Sequence, residues 1–132
     1  MSPSRSTKVT IENKLAHDLV LGGSSLDHGI WTQSLSPPNV IAAGATGIFQ
    51  AESAGVMTGD QGYAKYSIAN VGDAAYTFKF DNPFSGSNSY DCSAPTGYSY
   101  NQTGGGGNNA EVTWACVQVC IVHCARCFDD TT

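Results

Sequence analysis

Charge is scarce in this chain. Lys, Arg, Asp and Glu make up 13% of its 132 residues, about half the share usual in a soluble domain. The six Lys and Arg are scattered singly, so no basic stripe exists to neutralise phosphates, and nucleic acid is not an expected partner. The net charge of −5 and pI near 4.8 also work against unspecific adsorption to anionic leaflets. Long apolar runs are missing as well: no stretch approaches the roughly 18 to 20 apolar residues that a spanning helix needs. The opening Met-Ser-Pro-Ser-Arg-Ser-Thr-Lys carries no apolar segment of leader type, which gives the expectation of a cytoplasmic or leaderless-secreted protein. Internal repeats, heptads and charge blocks are absent. So are catalytic signatures: only His17, His28 and His123 offer an imidazole base, and no Gly-x-Ser-x-Gly elbow accompanies them. No enzyme activity and no cofactor are expected.

Turn formers and short alternating segments take the place of charge. With Gly at 15 and many Ser, Thr and Asn, the chain reads as an all-β, single-domain antiparallel β-sandwich. Val9 and Ile11 alternate with Thr10 and Glu12; His17 to Leu21 is a second strand, ended by Gly22-Gly23; Gly29 to Ser34 carries Trp31. Pro37-Pro38-Asn39 forces a turn. Thr46 to Ser53 and Gly62 to Ile68 are strands, the latter with Ala64, Tyr66 and Ile68 on one face. Tyr76, Phe78 and Phe80 point inward against Thr77 and Lys79, after a turn at Gly72-Asp73. Four glycines, Gly104 to Gly107, mark a hairpin tip, because that much backbone freedom is costly inside a strand. Val112 to Val122 is a final strand by pattern, with helix as the alternative. The expected layout is a tail over 1–7, a sandwich over 8–122 and a cysteine-bearing tail over 123–132.

From Asp81 to Asn109 the chain reads as loop-rich, and between Asp81 and Glu111 the only charge is Asp91. Phe84, Tyr90, Tyr98 and Tyr100 stand there among Ser, Gly and Asn. Rigid rings supply amphipathic contact area at low entropic cost, with hydroxyls and amides giving adaptable hydrogen bonds. A segment of that composition is a candidate contact surface, and Tyr suits a place that is apolar on one side and wet on the other. The competing reading is ordinary packing. It applies most strongly to Trp31, which lies in a strand, and to Tyr76, Phe78 and Phe80.

Asp81, Pro83, Phe84, Gly86 and Asn88, preceded by Phe78 and Phe80, resemble the aegerolysin signature, an aromatic strand running into an Asp-x-Pro-aromatic turn followed by Gly and Asn. Ala51 to Gly62 resembles the acidic, glycine-rich segment ahead of that turn. The resemblance covers roughly Lys8 to Thr113. It implies a compact sandwich similar to the actinoporins, no enzyme activity, and binding to a sphingolipid- or sterol-containing membrane; the net charge of −5 adds the expectation of a zwitterionic or neutral headgroup. The resemblance also implies a haemolytic or pore-forming role with a perforin-like protein partner, self-association, and action at target membranes. The candidate lipid or headgroup site comprises the aromatic lip of Trp31, Phe84, Tyr90, Tyr98 and Tyr100 together with Asp81, Pro83 and Asn88 of the turn. A carbohydrate-binding, lectin-like module on the same kind of sandwich is the alternative, since stacked Tyr with Asn and Ser serves a sugar too.

Two further constellations are weaker. Asp81-Asn82-Pro83-Phe84-Ser85 matches a permissive βγ-crystallin calcium pattern, but calcium takes six to eight oxygens and one carboxylate is a thin supply. A turn built on Asp81 and Asn82 is the preferred reading. Cys124-Ala125-Arg126-Cys127 has the inner spacing of a zinc site, with Cys116, Cys120 and His123 nearby. Residues four apart on a strand lie about 13 Å distant, and Cys116 to Cys127 spans about 16 Å along a helix, so neither form brings four sulfurs to one ion. No metal is expected, and the five cysteines, Cys92 included, are read as thiols. Asn101-Gln102-Thr103 is a formal glycosylation acceptor and is treated as chance.

Overall fold

The computed structural model describes residues 3–119, and among them there is no helix. Ten strands form: β1 Ser6–Asn13, β2 Leu19–His28, β3 Ile30–Trp31, β4 Val40–Ile41, β5 Thr46–Glu52, β6 Asp60–Ile68, β7 Ala75–Asn82, β8 Ser89–Ser93, β9 Tyr98–Gly104 and β10 Asn109–Gln118. They make two five-stranded sheets, in the orders β3-β5-β1-β10-β9 and β4-β2-β6-β7-β8. The chain is the all-β sandwich expected of it. One pairing departs from pure antiparallel order: β1 runs parallel to β10, with Ser6 opposite Asn109 and Asn13 opposite Cys116. Period-two alternation explains the core. In β1 and β7, alternate side chains are buried, as half-covered strands require.

The inner faces meet over Trp114, whose ring centroid lies 5.3 Å from that of Phe78, and over Tyr76, stacked on Phe78 at 5.7 Å. Buried rings need partners for their polar atoms. Tyr66 Oη donates to Pro38 O at 2.7 Å, Tyr76 Oη to Ser99 O at 2.8 Å, and Trp114 Nε1 to Gln102 Oε1 at 2.9 Å.

Several boundaries differ from the sequence reading. β2 does not stop at Gly22-Gly23; it continues to His28, with register shifts at Leu21/Gly23 and Leu26/His28. A bulge takes up the extra residue, and glycine tolerates it. The segment from Asp81 to Asn109 is not mainly loop, since β8 and β9 occupy much of it. Both are edge strands, where a solvated face and one free edge make Ser, Asn and Gly acceptable. Asp81 and Asn82 end β7 instead of forming a turn. The run at Val112 is strand, within β10. β1 begins at Ser6, inside the stretch read as tail. Cys120, His123, Cys124 and Cys127 lie outside the described residues.

Candidate functional site at one end of the sandwich

Strand register gathers five segments at one end. Ser6 opens β1 opposite both Asn109, which opens β10, and Glu52, which closes β5; Asp60 opens β6 opposite Asn82, which closes β7. The chain ahead of β1, the β5–β6 loop, the β7–β8 loop and the β9–β10 tip therefore emerge together, with the end of β2 alongside.

The apolar groups at this end are exposed. Val56 is 89% and Met57 68% accessible, on a loop shaped by positive φ at Gly55 and Met57. Phe84 is half-buried. Met57 and Phe84 line both of two adjoining grooves. The larger, about 580 Å³, is completed by Val56, Gly55, Ser53, Glu52, Ser4 and Pro3. The smaller, about 370 Å³, has a polar floor of Asp60, Gln61, Asp81 and His28.

Hydrogen bonds hold this edge in place. Arg5 donates from Nη2 to Phe84 O at 2.6 Å and from Nε to Pro83 O at 3.3 Å, while its guanidinium carbon sits 4.9 Å from the centre of the Phe84 ring. That combines charge-assisted hydrogen bonds with a cation–π contact. Asn88 Nδ2 donates to Gly105 O at 2.9 Å and Gly107 O at 2.8 Å, and Asn82 Nδ2 donates to Ser6 O at 3.0 Å and Asn108 O at 2.9 Å. Two asparagines thus tie β7 and its following loop to the β9–β10 tip. Gly59 has to be glycine here: a Cβ would come within 2.3 Å of Asn82 O.

Beneath the loops lies a buried acid. Asp60 is fully buried, and removal from water pushes its carboxyl up to about 6, with Asp81 and Glu52 adding repulsion and Thr7 moderating the rise. The Thr7 hydroxyl is close enough to act on Asp60, yet the geometry falls short of a hydrogen bond. Among the described residues, Asp60 Oδ1 and Oδ2, Thr7 Oγ1 and Asn82 Oδ1 all have no hydrogen-bond partner.

Three solved structures share this architecture. The lipid binding protein Nakanori superposes with a TM-score of 0.70 at 12% identity, over 89% of this chain and 72% of that one. The RahU protein, solved in complex with a Tris molecule, gives 0.72 at 15% identity over 91% and 99%. IP-1A from Alcaligenes faecalis gives 0.69 at 16% identity over 90% and 94%. This chain has the aegerolysin-type fold. No protein-family model and no curated protein sequence matches it.

On the aegerolysin-type frame the residues expected to act together divide. Asp81, Pro83 and Phe84 line the groove with the polar floor, and Asn88 fastens the same loop. Trp31, on the same end, packs inward against Phe49 at 5.9 Å and Phe80 at 6.2 Å. Tyr90 is partly buried under the tip, its ring 6.1 Å from Trp114 and its hydroxyl donating to Gly105 O at 2.8 Å; a Cβ on Gly105 would meet that ring at 2.5 Å. Tyr98 and Tyr100 pair with Gln118 and Cys116, toward the opposite end of β10, and both pack against the core. They are not brought to Phe84. Asp81 and Asn82, being successive in a strand, point to opposite faces, so the calcium pattern does not converge. Among the described residues no group of three or more His, Cys, Asp or Glu could hold a metal ion.

Sequence reasoning passed over Val56, Met57, Arg5 and Asp60. The signal available for the first two was an apolar pair bracketed by Gly55 and Gly59, since a turn with no core to join exposes whatever it carries.

Proposed function

We propose that this protein binds membrane lipid through the end of the sandwich formed by Val56, Met57 and Phe84. The observation that carries the reading is an exposed apolar edge, two residues on one loop and a ring on the next, seated over a groove of about 580 Å³. An apolar edge of this kind marks an interaction site more often than an ordinary surface. The neighbour Nakanori is itself named a lipid binding protein, which supports the same direction. A net charge of −5 favours zwitterionic or neutral headgroups, with sphingolipid- or sterol-containing membranes as the preferred class. A pore-forming or haemolytic role is a separate step, for which a perforin-like partner is required in this proposal.

Liposome sedimentation tests the reading. The double substitution V56S/M57S should reduce binding to neutral vesicles at least about tenfold, because two exposed apolar side chains lose about 1 kcal/mol or more of transfer energy each, while thermal stability stays unchanged. Undiminished binding by this variant would move the site elsewhere. One observation favours the carbohydrate reading: Tyr63, 38% exposed, borders a shallow groove of about 420 Å³ with Asp27, Lys79, Asp81 and Asp91. A glycan array run beside the lipid panel separates the two.

A further inference from the structure

Among the described residues, four buried oxygens have no hydrogen-bond partner, which is unusual, since buried polar atoms are almost always hydrogen-bonded. Their positions are specific. Asp60 and Asn82 face each other across the β6–β7 ladder, both buried, and Thr7 reaches them from β1 in the facing sheet.

A count of donors explains the arrangement. Asn82 commits its amide hydrogens to Ser6 O and Asn108 O, leaving Oδ1 as an acceptor. With Asp60 ionised, the Thr7 hydroxyl is the one donor of the group for the other three oxygens, and the carboxylate and the Asn82 amide oxygen are both acceptors. Taking up one proton changes this. The neutral carboxyl can donate its O–H to Asn82 Oδ1 and accept from Thr7 at its other oxygen, so every member is satisfied.

We propose that Asp60 is a proton-operated lock joining the roots of the two apolar loops, closed when its carboxyl is protonated and released when it ionises. The loop with Val56 and Met57 ends at Gly59, directly before Asp60; the loop with Phe84 begins at Pro83, directly after Asn82. A bond between Asp60 and Asn82 therefore clamps both loops where they leave the sheet. Ionisation removes the clamp and leaves a buried charge whose hydration requires the loops to part. The surrounding groups strengthen the effect: Glu52 on β5, Asp81 on β7 and the Tyr90 hydroxyl on β8 offer it no positive charge, while Arg5 is engaged with Pro83 and Phe84 and His28 lines the groove above. Resting on the reading that these loops meet lipid, the released state at neutral pH is the membrane-engaging one, and acidification withdraws it.

Hydrogen exchange on the full chain tests the lock without lipid. Between about pH 7.5 and about pH 5, after correction for intrinsic exchange, protection of the two loops should rise by about tenfold or more. In D60N, which keeps an amide donor at that place at every pH, protection should be high and independent of pH. Parallel behaviour of D60N and wild type would overturn the lock, as would a carboxyl carbon-13 titration placing Asp60 of the wild type at the ordinary carboxylate range; the second measurement needs no variant to fold. Sedimentation with neutral vesicles at both pH values then reads the consequence. A switch in protection with no vesicle binding at either pH sinks the lipid reading and leaves the lock standing. Equal binding at both pH values with unchanged loop protection does the reverse.

Discussion

At the scale of single residues, Asp60 makes an unusual contribution to stability. Its folded carboxyl is raised from 3.8 to about 6, so its linkage runs opposite to that of a salt-bridged acid. The contribution is fully present below about pH 4, where both folded and unfolded forms are protonated, and is lost as pH rises through about 6. Over that window the chain should lose up to about 3 kcal/mol, from 1.36 kcal/mol for each of about two units. D60N should flatten this segment of the curve and be the more stable protein at neutral pH. Denaturant melts at about pH 4 and about pH 7 check it, and a wild-type stability that climbs across the same range would reject it. Arg5 acts differently, by geometry. Its fork spans two carbonyls while its plane covers the Phe84 ring, so R5A should cost about 1–3 kcal/mol and R5K should recover little, an ammonium being unable to reproduce both bonds and the stacking. Melting temperatures of the three proteins decide this.

Among the elements, legibility followed burial. The strands through Val9, Phe49, Tyr66 and Phe78 were readable because one face of each must enter the core, and a period of two leaves a plain trace. β8 and β9 were not. As edge strands, they carry Ser, Asn, Gln and Thr where a central strand would carry Val or Ile, and their pairing is set by register with β7 and β10 instead of by their own composition. The continuation of β2 through Gly22-Gly23 was hidden for a related reason, since a bulge looks like a terminus in sequence. At the candidate site, the β7–β8 turn was visible through Asp81, Pro83 and Phe84. Its partner loop was not, because Val56 and Met57 become an apolar edge only once β5 and β6 bring them beside Phe84. Arg5 and Asp60 were likewise invisible: their roles depend on contacts with residues more than twenty positions away, which no local pattern encodes. Tyr98 and Tyr100 show the converse, sharing a composition with Phe84 but separated from it by the length of β10.

The whole molecule adds two constraints that no single loop contains. The parallel β1–β10 pair joins distant parts of the chain, so the site end, where Ser6 meets Asn109 and Glu52, is assembled only when the sandwich closes; contacts this remote in sequence form late and slowly. The net charge of −5 then governs which surface the assembled edge can approach. Apolar contact through Val56, Met57 and Phe84 is short-ranged and indifferent to salt, whereas repulsion by an anionic leaflet acts over a Debye length of about 10 Å at 0.1 M salt. Replacing part of a zwitterionic vesicle with phosphatidylserine should therefore weaken binding, and raising salt to about 1 M, where the length falls to about 3 Å, should restore it while leaving binding to purely zwitterionic vesicles unchanged. Sedimentation across that two-by-two set of conditions makes the distinction. Binding that grows with phosphatidylserine and falls with salt would mean that charge, and not the apolar edge, brings this protein to a membrane.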